Sequence, residues 1–273
     1  MTKKFGIIGN PIKHSLSPVL HNYWFEKYNI DAHYSILDIK ESELMGIVGE
    51  IKKGNLSGIN VTLPFKQKIV SHVDELVNDA EITGSVNTIF MDARETIIGE
   101  NTDVFGMQAA YLKEVDNASR KNALIIGAGG VSPSVILSLQ KSNVHKISIV
   151  NRTLEKCIFL KKKFKNLNII QWNNLKDEIK NYDIIINATS LGLKNGDEFD
   201  FNFEDTKKNL IYIDTIYNPL ETKTLRYLKE KDIKVFNGLE MFIYQGQKAF
   251  YLWNKVNPEI DQKLIEILFA KLK

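Results

Sequence analysis

Residues 122–130, Asn-Ala-Leu-Ile-Ile-Gly-Ala-Gly-Gly, constrain the fold of this chain more than any other stretch. A short apolar run without polar alternation suits a strand buried on both faces, the usual state of a parallel strand. The glycines follow at once, and Val131-Ser132-Pro133 then opens a helical pattern to about Lys141; proline is tolerated in a first helical turn. A strand, a tight glycine turn and a helix cannot make a hairpin. They make the first half of a crossover to a parallel neighbour. Glycines there allow a sharp turn and close approach of a pyrophosphate, for which the helix N-terminus supplies N–H donors. The same turn also serves purely for packing. Ser132 stands where the third glycine of the dinucleotide fingerprint would fall, and it is small enough for close helix–strand packing.

The rest of the chain repeats this alternation. Strands are expected over 5–8, 33–39 and 59–63, with helices over 17–28 and 41–52, and a hairpin over 86–91 and 96–99 turning at Asp92-Ala93-Arg94. Beyond residue 122 the apolar runs 146–150, 183–186 and 210–213 read as further buried strands. Leu154, Cys157, Leu160 and Phe164 mark one helical face, and helical periodicity returns from Met241 to the end. The fold class is therefore α/β, with mostly parallel sheets covered on both sides. At 273 residues and 44% hydrophobic, the chain has material for two domains. No Pro/Gly-rich linker divides them, so the boundary is expected in a helix starting near Asp103.

Bulk properties exclude several classes. Lys plus Arg number 36 against 33 for Asp plus Glu, and a net charge of +3 is too small to argue for a nucleic-acid partner. Cys157 is the only cysteine, which forbids an intrachain disulfide and fits a reducing compartment. The apolar stretch at the N-terminus is too short for a signal peptide, and no run reaches the ~20 apolar residues of a membrane span. A cytoplasmic protein without a membrane partner is expected. The five histidines are scattered, away from metal-ligand spacing with carboxylates or with Cys157, so no metal site is expected.

The strand over 146–150 ends in Asn151-Arg152-Thr153. An NAD site tends to place a carboxylate there for the ribose 2′-hydroxyl. An arginine with two neutral hydrogen bonders suits a 2′-phosphate instead, so NADP is the expected cofactor.

The first block carries polar side chains at its strand ends. Ser15 and Ser17 lie in Gly9-Asn-Pro-Ile-Lys-His-Ser-Leu-Ser-Pro18, with Ser17 expected at a helix N-cap and Pro18 at the first helical position. The N–H groups and dipole of such a helix start favour a carboxylate. Asn60 and Thr62 share a strand face, Lys66 follows Pro64, Asn87 begins the hairpin, and Glu100-Asn101-Thr102-Asp103 ends it. Gln245 falls on the helical stripe of Phe242, Ala249, Trp253 and Val256. Converging, these groups would surround a polyhydroxylated substrate and suit carbonyl reduction, in which hydride comes from a nicotinamide and a side chain delivers the proton. Each also has a plain structural reading: a surface lysine, a helix cap, a core glutamine.

Taken together, the chain resembles the shikimate dehydrogenase family over essentially its whole length. GNPIKHSLSP, NVTLPFK, GSVNT, ENTD, GAGG, NRT, NATSLG (187–192), YNP (217–219) and QG (245–246) occur in that family's order and approximate spacing. The resemblance implies reversible NADPH-dependent reduction of 3-dehydroshikimate to shikimate. It implies a substrate-binding domain of residues 1–103 completed by C-terminal helices over 239–273, and a Rossmann-like NADP-binding domain of 104–238. By similarity, Ser15 and Ser17 hold the substrate carboxylate with help from Tyr217. Thr62, Lys66, Asn87, Asp103 and Gln245 face the ring hydroxyls and the keto group, and Lys66 with Asp103 is the catalytic pair. Cofactor contacts would come from Gly127, Ala128, Gly129, Gly130, Val131, Asn151, Arg152, Thr153, Thr189, Gly238 and Met241. Many members carry arginine at the position of Pro133 and glycine at that of Glu240. A monomer or homodimer is expected. The alternative is an NAD-dependent quinate/shikimate dehydrogenase, against which Asn151-Arg152 argues.

Overall fold

The computed structural model describes residues 2–194, 196–201 and 203–272. The chain divides into one unit of Met1–Asp103 with Ile243–Lys273 and a second of Val104–Phe242. The first division falls at the opening residue of the helix expected near Asp103.

The first unit begins with β1 (Lys3–Ile8), α1 (Ser17–Lys27), β2 (Ala32–Leu37), α2 (Leu44–Lys52) and β3 (Gly58–Val61). It continues with β4 (Glu75–Leu76), α3 (Asp79–Thr83), β5 (Thr88–Met91) and β6 (Ile97–Glu100), and its last residue before the division opens α4 (Asp103–Ala110). Its six strands lie in the order β2-β1-β3-β5-β6-β4. β1 is parallel to both β2 and β3, whereas β5 is antiparallel to β3 and to β6, which is the expected hairpin. One core collects Ile8, Leu44, Val48, Ile51, Ile59, Phe65, Val86 and Ile89. β3 stops at Val61, short of the expected residue 63, because the chain turns at once: Phe65 N–H donates to the Thr62 carbonyl at 2.9 Å. α1 also differs from expectation. Leu16 occupies the N-cap and makes no side-chain cap, so Ser17 lies inside the first turn with Pro18.

The second unit holds β7 (Asn122–Ile126), α5 (Ser132–Lys141), β8 (Lys146–Val150), α6 (Leu154–Lys163), β9 (Leu167–Ile170) and α7 (Leu175–Glu178). Then follow β10 (Ile184–Asn187), β11 (Ile211–Asp214), α8 (Lys223–Glu230) and β12 (Lys234–Phe236). The strand order is β12-β11-β10-β7-β8-β9, with every pairing parallel. This is the doubly wound order of a Rossmann sheet, and it changes direction between β7 and β10. Ligands of such sheets bind at the carboxyl ends of the strands near that point. On α6 the face is Cys157 and Leu160, continued by Phe164. Leu154 is 39% exposed and does not join it.

α9 (Leu239–Asn254) and α10 (Gln262–Lys271) complete the chain. Residues 239–242 fall in the second unit. Gly238 and Met241 explain this: a Cβ on Gly238 would lie 2.3 Å from the Thr215 carbonyl oxygen, and Met241 N–H donates to Tyr111 Oη at 3.2 Å. From Ile243 on, α9 lays Phe250 against Trp24 and Phe25 of α1. His21, fully buried, stacks flat on Tyr34 at 4.5 Å and lies 5.2 Å from Trp253. Burial pushes its imidazole down to about 3. Asn60 opposes that shift only weakly, and neither ring nitrogen finds hydrogen-bond geometry with a described residue. No helix among the described residues is long and apolar enough to cross a membrane.

Candidate functional site

In the first unit the polar side chains at the strand ends form one network. Lys66 Nζ donates to Asp103 Oδ2 at 2.6 Å, with side-chain exposures of 14% and 6%. Asn87 Nδ2 donates to the other carboxylate oxygen at 2.9 Å and reaches Gln245 Oε1 at 3.3 Å. Asp103 N–H is capped by Asn101 Oδ1 at 3.1 Å, so the start of α4 and its carboxylate are positioned together. Lys66 is set by its main chain, whose carbonyl accepts from Val86 N–H at 2.8 Å. A buried ion pair costs desolvation unless its remaining valences are satisfied. Here both carboxylate oxygens are taken up within the protein, while an ammonium offers three donors and spends one on Asp103.

The two turns that carry Ser15 and Thr62 lie against each other. Asn10 N–H donates to the Leu63 carbonyl at 2.9 Å, and a Cβ on Gly9 would stand 2.4 Å from Thr62 Cγ2. Ser15 Oγ accepts from Ser17 N–H at 3.2 Å and lies 3.2 Å from Ser17 Oγ. That places two hydroxyls at the open end of α1. The structure thus brings Lys66, Asn87, Asp103 and Gln245 into contact, and sets Ser15 beside Ser17 and Thr62 beside Gly9. Tyr217 belongs to the second unit, where it stacks on Phe242 at 4.8 Å.

In the second unit the expected cofactor residues all follow carboxyl ends of parallel strands. Gly127 has φ +113°, and a Cβ there would lie 2.7 Å from the Ala188 carbonyl oxygen, so only glycine lets β7 pass the end of β10. A Cβ on Gly129 would meet nothing nearer than that same oxygen at 3.9 Å. Packing therefore does not require glycine at 129, and the open main chain there leaves room for a phosphate to approach. Ser132 ties the turn, accepting from Gly129 N–H and donating to the Gly127 carbonyl, both at 2.9 Å. Asn151 accepts from Ala128 N–H at 3.2 Å and donates to the Thr153 carbonyl at 3.0 Å, which binds the end of β8 to the glycine turn. Arg152 and Thr153 are exposed beside it. This donor set fits a dinucleotide carrying a 2′-phosphate.

The loop after β10 is organised from below. Asn187 Oδ1 accepts from Thr189 N–H at 3.0 Å and from Thr189 Oγ1 at 2.6 Å. Its Nδ2 donates to the Leu191 carbonyl at 3.0 Å and to Asp214 Oδ1 at 3.1 Å. Asp214, fully buried at the end of β11, also accepts from Ile216 N–H and from Thr222 Oγ1, each at 3.0 Å. Burial pushes its carboxyl up to about 6 in spite of those donors. Asp214 and Ser132 order these turns without being among the expected contact residues, whereas Asn101 lies in the ENTD stretch expected to converge on the substrate. Ser132 had a signal in its place at the third glycine position; Asp214 had none beyond being polar next to an apolar strand.

A family model described as the shikimate dehydrogenase substrate binding domain matches residues 7–89, and one described as shikimate / quinate 5-dehydrogenase matches 110–219. The chain belongs to the shikimate dehydrogenase family. A Pelagibacter ubique member named shikimate dehydrogenase (NADP(+)) is 46% identical over 268 residues, covering 98% of this chain and 99% of its own. The crystal structure of the Aquifex aeolicus shikimate dehydrogenase matches with a TM-score of 0.89 at 35% identity, covering 100% of this chain and 98% of that one. The Thermus thermophilus shikimate dehydrogenase, solved with NADP(H) and shikimate, gives 0.88 at 29% identity, with 99% and 100% coverage. The two-domain α/β fold with its Rossmann sheet is what the sequence resemblance implied.

Proposed function

We infer that this protein is an NADP-dependent shikimate dehydrogenase, reducing 3-dehydroshikimate reversibly to shikimate on the route to chorismate and the aromatic amino acids. The observation that carries the reading is the Lys66–Asp103 pair at 2.6 Å, secured by Asn87 in the unit matched by the substrate-binding family model. NADPH, when bound, would supply the hydride to the carbonyl carbon, and NADP+ would take it back in the reverse direction. The chain's own work is to bind, orient and move a proton. Ser15 and Ser17 offer hydroxyls at a helix start to the substrate carboxylate, with Tyr217 assisting. Thr62, Asn87 and Gln245 hold ring hydroxyls. Lys66, with donors left over from Asp103, stabilises negative charge growing on the carbonyl oxygen, and the pair delivers the proton that makes it a hydroxyl. Asp103 holds the ammonium in place and accepts from a substrate hydroxyl.

For the cofactor, the residues from Gly127 to Val131 would cradle the pyrophosphate, Asn151, Arg152 and Thr153 the 2′-phosphate end, and Thr189, Gly238 and Met241 the remainder. Asn151, Arg152 and Thr153, with no carboxylate among them, favour NADP over NAD, and with it shikimate over the NAD-linked quinate alternative. We place the enzyme in the cytoplasm, as a monomer or homodimer without nucleic acid. The test is absorbance at the nicotinamide band with shikimate or quinate offered against NADP+ or NAD+. Shikimate with NADP+ is expected to react fastest. Quinate with NAD+ as the best pair, or no reaction with any pair, overturns the reading.

A further inference from the structure

We propose that Tyr34, Asn60 and Thr88 are positioning residues, forming a one-way relay of hydrogen bonds that runs from beside Ser17 to the Asp103 carboxylate. The proposal rests on the Lys66–Asp103 reading above. All three are buried, with exposures of 1%, 4% and 0%, and the Tyr34 ring stacks on His21 at 4.5 Å.

The direction of every link follows from groups that have no choice of role. Thr102 N–H can only donate, and it does so to Asn87 Oδ1 at 2.8 Å. That fixes the Asn87 amide with its nitrogen toward Asp103 Oδ1, 2.9 Å away. The Asn87 main-chain carbonyl can only accept, and it does so from Asn60 Nδ2 at 3.1 Å. The same nitrogen therefore donates to Thr88 Oγ1, also at 3.1 Å, on the residue directly opposite in the β3–β5 pairing. Having accepted there, Thr88 has its proton for Asn87 Oδ1 at 3.0 Å, an oxygen that can only accept, in preference to the longer contact with Thr102 Oγ1 at 3.4 Å. Asn60 Oδ1, facing the other way, accepts from Tyr34 Oη at 2.7 Å. The Tyr34 hydroxyl in turn interacts with Ser17.

The sense is thus Tyr34 to Asn60 to Thr88 to Asn87 to Asp103, and a main-chain donor and a main-chain acceptor forbid its reversal. An amide whose oxygen accepts strongly becomes a better donor at its nitrogen, because hydrogen bonds in series polarise one another. The relay therefore strengthens the Asn87 hold on one Asp103 oxygen and keeps the other turned toward Lys66. None of the three residues touches a reacting atom; each acts through Asn87.

Thr88→Val keeps the shape and removes the hydroxyl, Thr88→Ser keeps the hydroxyl, and Tyr34→Phe removes the first donor. With shikimate and NADP+, kcat is expected to fall about tenfold in T88V and Y34F, the equivalent of about 1.4 kcal/mol, with KM for shikimate within about threefold and T88S within about twofold of the parent. Amide hydrogen exchange at Thr102, which donates to Asn87, is expected to speed up about tenfold in T88V but not in T88S. A parental kcat in T88V and Y34F overturns the relay. So does T88S falling as far as T88V, or the loss appearing in KM alone. If the parent protein turns over no shikimate, the reading of the reaction fails on its own, and unchanged Thr102 exchange in T88V still refutes the relay.

Discussion

His21 gives the sharpest quantitative expectation. Its ring is fully buried between aromatic rings, and burial pushes it down to about 3 from an ordinary 6.5. The native state therefore holds it neutral, whereas the unfolded chain protonates it below 6.5. Across that interval the unfolded state binds one proton more, so stability is complete above pH 6.5 and is lost as the pH falls. Between pH 7.5 and pH 5 the loss comes to about 2 kcal/mol, roughly 1 M in a urea midpoint for a unit of this size. His21→Phe keeps a flat ring against Tyr34 and removes the titration. Whatever constant offset the substitution brings, the stability difference between parent and variant should change by about 2 kcal/mol over that range, in the variant's favour at low pH. Urea unfolding followed by tryptophan fluorescence reads this directly, because Trp24 and Trp253 pack on the ring. A parent–variant difference that is the same at pH 5 and pH 7.5 would refute the argument.

The remaining expectations concern the sites. Lys66→Ala should lower kcat by about a hundredfold or more while KM for shikimate changes little, since the loss lies in the transition state; steady-state kinetics checks it, and unchanged kcat removes Lys66 from the mechanism. Arg152→Ala should raise KM for NADP+ by about tenfold and leave that for NAD+ nearly as it was, and equal changes in both would sink the 2′-phosphate assignment. Gly127→Ala must place a Cβ 2.7 Å from the Ala188 carbonyl oxygen at a positive φ, so it should cost about 1–3 kcal/mol in thermal unfolding and weaken NADP+ binding by calorimetry.

Where an element is built by one continuous apolar run, it was legible residue by residue. Residues 122–126 and 146–150 form β7 and β8 at those bounds, because strands in the middle of a parallel sheet bury both faces. The edge strands β9 and β12 escaped, since Leu167–Ile170 and Lys234–Phe236 are short and half solvated and resemble loops in composition. The kink after Val61 was hidden because Thr62 and Leu63 continue a plausible strand until Pro64 forces the turn. The site divides in the same way. Lys66, Asn87 and Asp103 stood out as polar groups at strand ends. The bonds between them join residues 37 and 16 positions apart, and the link from Tyr34 to Asn60 spans 26, which no local pattern encodes. A tyrosine in an amphipathic strand looks like any other core aromatic until its hydroxyl is seen to have a partner.

Asp214 has a consequence for the whole chain in acid. Its carboxyl stands at about 6 in the native state against an ordinary 3.8, so the folded second unit takes up a proton before the unfolded chain does. What it gains at low pH is lost as the pH rises through 6, and at neutrality the buried charge costs about 3 kcal/mol. His21 in the first unit has the opposite sign. Acidifying from pH 6 to pH 4 therefore weakens one half of the molecule while it firms the other. A thermal scan should show this as two transitions moving in opposite directions, the first unit's falling and the glycine-turn unit's rising as the pH drops, so that the order in which the halves come undone is itself set by pH.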